Sequence, residues 1–360
     1  MHESFDLTTI GATGEIFREF EAHAARGLAL GRVSVVHADG YRFYTASGER
    51  QAEAIGALLY RSERSEWPAV GDWVAAQLVS GENAMIHAVL PRRTVFTRRA
   101  AGKREQEQVI AANIDLALIV CGLDQDFSVR RIERYLTLAR VSGADAAVVL
   151  NKADLCADTE ARVAEARRVA AETPVLVVSA RSAEGIRPLR ALAGGGLTIA
   201  LLGSSGVGKS TLVNGLLGEE RQRVREVRES DGRGRHTTTH RELLPLPGGG
   251  ALIDTPGMRE LQLWADQDSL DSAFAEIAAL AAACRFRDCS HTGEKGCAVQ
   301  AALLAGDLDD ARWQSYQKLR AEIAWHERQT DVQAAQAVKR KWKAIHKEMR
   351  ERYKHDPRMR

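Results

Sequence analysis

Between residues 31 and 97 apolar and polar positions alternate in short runs, 33–37, 41–46, 73–79 and 85–90, split by glycine turns. Alternation with a period of two marks half-buried strands. About five such strands in so short a stretch predict a small barrel of the OB-fold kind, assigned to residues 28–105. Such barrels commonly hold nucleic acid or carbohydrate, but the architecture does not choose a ligand, and a barrel that only props its neighbour is the plain alternative. Upstream, residues 1–27 carry no strand pattern; a short helix over 17–25 is the one element suggested, and the segment reads as a tail.

From residue 106 the pattern changes. Continuous apolar runs at 116–120, 146–150, 175–178, 197–202 and 251–253 alternate with helix-like stretches at 129–141, 159–172 and 210–217. Buried strands separated by helices describe a parallel sheet with helical cover, whose ligand loops sit at the carboxyl ends of the strands. This domain is assigned to residues 106–268, followed by an Ala-rich helical domain at 269–335 and a basic extension at 336–360. The fold class expected is therefore multidomain α/β.

The strand ends carry the chemistry. After the run at 197–202 come Gly203, Ser204, Ser205, Gly206, Val207, Gly208, Lys209, Ser210 and Thr211, a phosphate loop in the required strand, loop and helix setting. Backbone N–H groups and the positive helix end suit phosphates, Lys209 suits the β and γ oxygens, and Ser210 suits Mg²⁺. Asp254-Thr255-Pro256-Gly257 follows the run at 251–253, where a carboxylate can hold Mg²⁺ through water and the Gly257 N–H can sense a γ-phosphate. Between these segments lies Gly232-Arg-Gly-Arg-His236-Thr237-Thr238-Thr239-His240. One hydroxyl of that run, Thr238 or Thr239, can complete the Mg²⁺ shell, and the sequence does not say which.

Asn151-Lys152-Ala153-Asp154 ends the run at 146–150, and Ser179-Ala180 ends the run at 175–178. A carboxylate at Asp154 can accept from guanine N1–H and the exocyclic amine, a donor pair that adenine lacks, so the nucleotide expected is GTP. Backbone near Ala180 is expected at the base oxygen. The order is informative, because the base-reading segments precede the phosphate loop. An ordinary GTPase runs the other way, so the arrangement is a circular permutation.

Farther on, Cys284, Cys289, His291 and Cys297 offer three thiolates and one imidazole at short spacings, four soft ligands for one closed structural Zn²⁺ site. Cys121 and Cys156 have no such neighbours and read as ordinary free cysteines.

These residues resemble the ribosome small-subunit-dependent GTPases, a bacterial family of circularly permuted GTPases. The resemblance runs from Val70-Gly71-Asp72 through Glu107 to Asp115, the phosphate loop, Gly-Arg-His-Thr-Thr-Thr and Asp-Thr-Pro-Gly to the Cys/His cluster. It implies an N-terminal OB-fold barrel, a permuted GTPase domain, a C-terminal zinc domain at those four ligands, and a role in late maturation of the small ribosomal subunit with its 16S rRNA. It also points to His236 as the group that orients the attacking water; a His236 that only contacts RNA is the alternative. Met258 stands where small GTPases carry a water-orienting Gln, and a thioether cannot take that role.

Charge and composition refine this picture. The formal net charge is +2 over 360 residues, which excludes a simple polycation, but residues 339–360 hold ten Lys/Arg against three Asp/Glu with Trp342 and Tyr353 interleaved. A second basic cluster comprises Arg92, Arg93, Arg98, Arg99, Lys103 and Arg104. Both suit an RNA backbone, and the C-terminal run suits a solvated helix face equally well. No apolar run approaches the roughly 18–20 residues of a membrane span, there is no signal-peptide pattern, and five cysteines argue against a disulfide framework. The expectation is a cytoplasmic monomer using GTP and releasing GDP, without a membrane partner. Two rival readings stay open: a GTP-regulated RNA-binding module in which hydrolysis is incidental, and a P-loop ATPase or kinase, which Asp154 disfavours.

Overall fold

The computed structural model describes residues 5–37, 39–61, 64–79, 82–99, 107–218, 241–254, 270–271, 274–310, 312–321 and 323–324. The chain divides into two compact units, Met1–Trp264 and Ala265–Arg360.

In the first unit, strands β1 (Ala29–Val36), β2 (Tyr41–Thr45), β3 (Gly48–Ala54), β4 (Trp73–Leu78) and β5 (Asn83–Val89) form the expected barrel. β1 pairs antiparallel with both β2 and β4, β2 with β3, and β4 with β5, while β3 and β5 run parallel. The strands therefore close on themselves in the order β1-β2-β3-β5-β4-β1, as an OB-fold requires. Val33, Phe43, Ala52, Val74, Ala76, Ala84 and Ile86 fill the interior.

A hairpin of β6 (Val95–Arg99) and β7 (Glu107–Ala112) leads to the second sheet. There β8 (Leu116–Gly122), β9 (Asp145–Asn151), β10 (Val175–Val177), β11 (Thr198–Leu202), β12 (Glu242–Pro245) and β13 (Ala251–Asp254) lie in the order β10-β9-β8-β11-β13-β12. All are parallel to their neighbours except β12, which runs antiparallel to β13. Helices α3 (Val129–Val141), α4 (Thr159–Ala170), α5 (Ile186–Ala193) and α6 (Lys209–Leu217) connect these strands. β8 is buried along its whole length, as a central strand covered on both faces must be. Among the described residues no helix is long and apolar enough to cross a membrane.

Barrel and sheet are continuous, because β1 also pairs with β12 at Val35 and Glu242. The seam beside that bridge is polar and buried. Arg32 on β1 is 1% exposed, and its guanidinium donates to the carbonyls of Gly71 at 3.3 Å, Asn113 at 3.1 Å and Ile10. It also lies over Trp73, 4.9 Å from the ring centroid. Burial draws its pKa down to about 10, opposed by Asp115, so it remains a cation at neutral pH. Asn113, in a left-handed conformation, donates from Nδ2 to the same Gly71 carbonyl and accepts the Arg93 N–H. Asp115 accepts the Thr198 N–H at 2.7 Å and so ties the seam to β11. Gly71 has no room for a side chain: a Cβ would sit 2.2 Å from the Ala112 carbonyl oxygen, at a φ of +91°.

Two expectations need correction. Residues 7–24, read as part of a tail, are packed: a 3-10 turn, Leu7–Ile10, and helix α1 (Gly14–Ala24) bury Leu7, Ile10, Ile16 and Phe20. Thr13 caps α1 by accepting the Ile16 N–H. The Ile10 carbonyl is needed by Arg32 and the Thr9 carbonyl by Gly250 N–H, so this segment is part of the seam. Arg92, read as part of an RNA-facing cluster, instead points inward. It forms a two-pronged pair with the buried Asp72 at 2.8 Å and donates to the carbonyls of Trp67 and Ser65. Burial raises the Asp72 carboxyl and Arg92 opposes that rise. Lys103 and Arg104 lie outside the described residues.

The barrel domain also carries α2 (Gly56–Arg61). Among the described residues of the second unit the helices are α7 (Ala275–Ala282), α8 (Ala298–Ala305) and a helical stretch over 312–321. Phe274, Ile277, Val299, Trp313, Tyr316 and Leu319 are buried there. Tyr316 stacks on Trp313 and meets the edge of Phe274.

The seam yields a stability prediction. An ammonium cannot reach three diverging carbonyls, so Arg32→Lys should destabilise the first unit by about 2–4 kcal/mol. Urea unfolding followed by circular dichroism checks this, and an unchanged midpoint would show that the clasp is dispensable.

Candidate functional site

Among the described residues, the phosphate loop, the 151–154 segment, Ser179-Ala180 and Asp254 lie at the carboxyl edge of the second sheet. β11 ends at Leu202 and releases the loop from Gly203 to Gly208, and α6 begins at Lys209. Gly203, Gly206 and Gly208 all have positive φ, the backbone path that such a loop needs. At Gly208 a Cβ would lie 2.3 Å from Asn151 Nδ2. Lys209 Nζ donates to the carbonyls of Gly203 at 2.7 Å and Ser204 at 2.5 Å, folding its ammonium back over the loop. Ser205, Val207, Ser210 and Thr211 occupy the same loop and first helical turn, with Val207 buried beneath it. β13 runs parallel to β11 with Ala200 opposite Ile253, which brings Asp254 to the edge that launches the loop.

Asn151 joins the two ends of the site. Its Nδ2 donates to the Val207 carbonyl at 2.8 Å, and its Oδ1 accepts the Ala180 N–H at 3.0 Å. One buried amide thus holds the phosphate loop and the Ser179-Ala180 turn at a fixed spacing. In this structure the Ala180 N–H is engaged by Asn151, an arrangement that the sequence reading did not include. Asp154 accepts from Ser179 Oγ at 2.6 Å, and that hydroxyl also receives the Ser182 N–H. Asp154 itself lies in a 3-10 turn, Ala153–Leu155, entered through Lys152 at a φ of 66°.

Three contributors were not singled out from the sequence: Asp124, Asp126 and Arg131, in the loop after β8 and on α3. Asp124 pairs with Lys152 Nζ at 2.5 Å. Burial pushes the Asp124 carboxyl up, but Lys152 and the Asp126 N–H outweigh it and leave the group below its usual value. Ser204 Oγ donates to Asp126 at 2.5 Å and accepts from Arg131 at 2.8 Å. The Asp126 hydrogen bond in turn raises the Arg131 pKa. The available signal was positional: Gly122-Leu-Asp-Gln-Asp126 also follows an apolar strand at the ligand edge. His236, Thr238, Thr239 and Gly257 lie outside the described residues.

In the second unit Cys284, Cys289, His291 and Cys297 converge, with their ligand atoms within 4.8 Å of one another. His291 Nδ1 is 3.5 Å from both Cys284 Sγ and Cys297 Sγ, and those two sulfurs are 3.9 Å apart. Cys297 caps α8 by accepting the Gln300 N–H, and the Gln300 side chain donates to the His291 carbonyl at 2.7 Å. Trp313 meets the imidazole edge-on. Burial, helped by Arg320, lowers the His291 pKa and favours the neutral form that a metal ion binds. The cluster can hold one metal ion.

A relative from Opitutus terrae, the "Small ribosomal subunit biogenesis GTPase RsgA", is 48% identical over 357 residues, 96% of this chain and 97% of its own length. The RsgA GTPase family model matches residues 89–264. The chain belongs to the RsgA GTPase family. A protein of the same description from Xylella fastidiosa is 55% identical over 261 residues, covering 72% of this chain and 75% of its own. Among solved structures, YjeQ from Thermotoga maritima superposes with a TM-score of 0.64 at 25% identity, covering 82% of this chain and 99% of that one. YloQ, described as a circularly permuted GTPase, reaches 0.60 at 21% identity, covering 83% of this chain and 96% of that one. This member of the RsgA family is accordingly a GTP hydrolase with an N-terminal barrel and a circularly permuted nucleotide domain.

Asn151→Ala would cut both bonds that join the two ends of the site. Losing them should weaken GDP binding about tenfold to a hundredfold, with a modest loss of stability. Calorimetric titration measures it; affinity within twofold of the parent would mean that the loops hold their spacing without the amide.

Proposed function

We propose that this GTPase acts in late maturation of the small ribosomal subunit, binding its 16S rRNA and hydrolysing GTP when the subunit orders its switch segments. The observation that carries the proposal is the near-full-length similarity to the Opitutus protein, whose name states small-subunit biogenesis. The exposed basic residues and the barrel are compatible with an RNA partner. The working unit is a cytoplasmic monomer that binds GTP and releases GDP.

The residues divide the work by chemistry. Asp154, oriented by Ser179, accepts from the guanine donor pair, and Lys152 is positioned by Asp124. Lys209 exchanges the loop carbonyls that it now contacts for the β and γ oxygens, while the loop N–H groups take the remaining phosphate charge. Ser210, Asp254 and either Thr238 or Thr239 would hold Mg²⁺, which neutralises charge on the phosphates. Gly257 senses the γ-phosphate, and His236 orients the water. The metal cluster suits Zn²⁺: tetrahedral Zn–S bonds place two sulfurs about 3.8 Å apart, against 3.9 Å between Cys284 and Cys297. Bound there, zinc supplies folding free energy to the loop.

Met258 favours a second reading in which the isolated chain is chiefly a GTP-regulated RNA-binding module, since no Gln follows Asp-Thr-Pro-Gly. Turnover with and without subunits separates the two. Unassisted turnover should be near or below about 10⁻⁴ s⁻¹, and small subunits should raise it by about 10³ to 10⁵. His236→Ala should retain GTP-dependent subunit binding and lose the acceleration. Stimulation of that variant equal to the parent's would remove His236 from the water-orienting role, and no stimulation of the parent would refute the ribosomal reading.

The base assignment has its own test. Asp154→Asn presents an amide donor where guanine carries its amine, so the variant should lose GTP affinity and gain xanthosine triphosphate, whose carbonyl accepts it. Retention of the parent's GTP preference would exclude Asp154 as the base reader.

A further inference from the structure

The metal loop displays a feature that metal binding does not use. Cys284 and Cys289 bracket the sequence Arg285-Phe286-Arg287-Asp288, and Phe286 is 47% exposed. The turn that carries it is pinned. Arg285 N–H donates to the Gly296 carbonyl at 3.0 Å, Cys289 N–H to the Phe286 carbonyl at 3.3 Å, and Cys284 N–H to the Ala281 carbonyl at 3.2 Å. Both ends of the turn are ligand candidates. A single exposed apolar side chain is ordinary on a protein surface; an aromatic ring on a hydrogen-bonded turn between two arginines is a more specific arrangement.

Charge says what would fit it. Arg285 and Arg287 are exposed, as is Lys295 on the next turn, and the Arg285 guanidinium lies 5.5 Å from the Phe286 centroid. Of the nearby acids, Glu294 is turned onto the N–H groups of Ser290, Thr292 and Gly293, leaving Asp288 as the exposed carboxylate. Cationic side chains around a flat ring match a flexible phosphate backbone with unstacked bases, because every base offers a π-face and no sequence is demanded. A duplex keeps its bases stacked and cannot use the ring.

We propose that Phe286 is a stacking platform for an unpaired base of single-stranded RNA, with Arg285 and Arg287 engaging the adjoining phosphates. The inference refines the proposed ribosomal role by naming the contact, and it rests on that reading only for the identity of the RNA. The backbone of the turn that carries the ring is hydrogen-bonded before binding, so little backbone freedom is lost when a base stacks on it.

The test uses the full chain, checked for equal metal content in every variant. The probe is a fluorescein-labelled oligoadenylate of about ten nucleotides, near the site size of such surfaces, free or annealed to its complement. Phe286→Ala and Phe286→Leu should each weaken single-strand binding about tenfold, Phe286→Trp should restore it, and binding of the annealed probe should change by less than twofold. Arg287→Ala should reduce the salt slope by roughly 0.7, one phosphate contact on a single strand. Failure of the parent chain to bind the single strand, or a Leu variant that binds it like the parent, overturns the proposal. So does a Phe286→Ala chain that binds the oligonucleotide normally yet loses small subunits, because the ring then docks on protein. If the Phe286 dependence is seen with the oligonucleotide while the parent ignores small subunits, the stacking platform stands and the ribosomal role falls.

Discussion

A guanidinium removed from water must be surrounded by acceptors, and much of the first unit's architecture follows from how Arg32 meets that requirement. Its three carbonyl partners come from separate stretches of chain: the N-terminal turn at Ile10, the Gly71 turn before β4, and the Asn113 turn before β8. None of these carbonyls belongs to a regular ladder at that point, so the side chain helps to satisfy backbone groups that burial removes from water, sharing the Gly71 carbonyl with Asn113 Nδ2. Asp72 with Arg92, and Asp115 with the Thr198 N–H, extend the same logic to either side. Barrel and nucleotide sheet therefore meet through directional bonds rather than through apolar packing alone.

That seam has a geometric consequence for the site. β1 carries Arg32 and also pairs with β12, and β12 pairs with β13, whose last residue is Asp254. Glu242, the first residue of β12, stands opposite Asp254 and makes a 3.6 Å ion pair with Arg42 of the barrel. The permuted chain order puts the His236 segment immediately before β12 and the Asp-Thr-Pro-Gly segment immediately after β13. The strands between them are thus anchored to the barrel. Across the sheet, Asn151 does the corresponding job for the base-reading end by bonding to Val207 and Ala180.

Legibility in the sequence followed burial. The helix at 129–141 was readable from its periodicity, and five strands of the second sheet, β8, β9, β10, β11 and β13, were readable because apolar runs leave a continuous signal; β12 (Glu242–Pro245), with only Leu243 and Leu244 buried, was not. The phosphate loop and Cys/His cluster were readable because their chemistry fixes residue types at close spacing. β3, Gly-Glu-Arg-Gln-Ala-Glu-Ala, was not readable, since Ala52 is its single buried position. The N-terminal segment was misread because its buried residues form one turn and one short helix, too brief for a clear period. Arg92 was misread for a different reason: a string of arginines looks alike in sequence, and the distant Asp72 that draws one of them inward is visible only in three dimensions. Asp124, Asp126 and Arg131 act on Lys152 and Ser204, residues 28 and 78 positions away in the case of the two carboxylates.

The central claim is that the base-reading loops and the phosphate loop, reversed in chain order, form one guanine-nucleotide site. Calorimetric titration of the intact chain with GDP and with ADP, each with Mg²⁺, tests it most directly and avoids turnover. The account predicts one GDP per chain and ADP binding weaker by at least about a hundredfold, the order of discrimination expected when buried polar groups lose their partners. Equal affinity for the two diphosphates would contradict it.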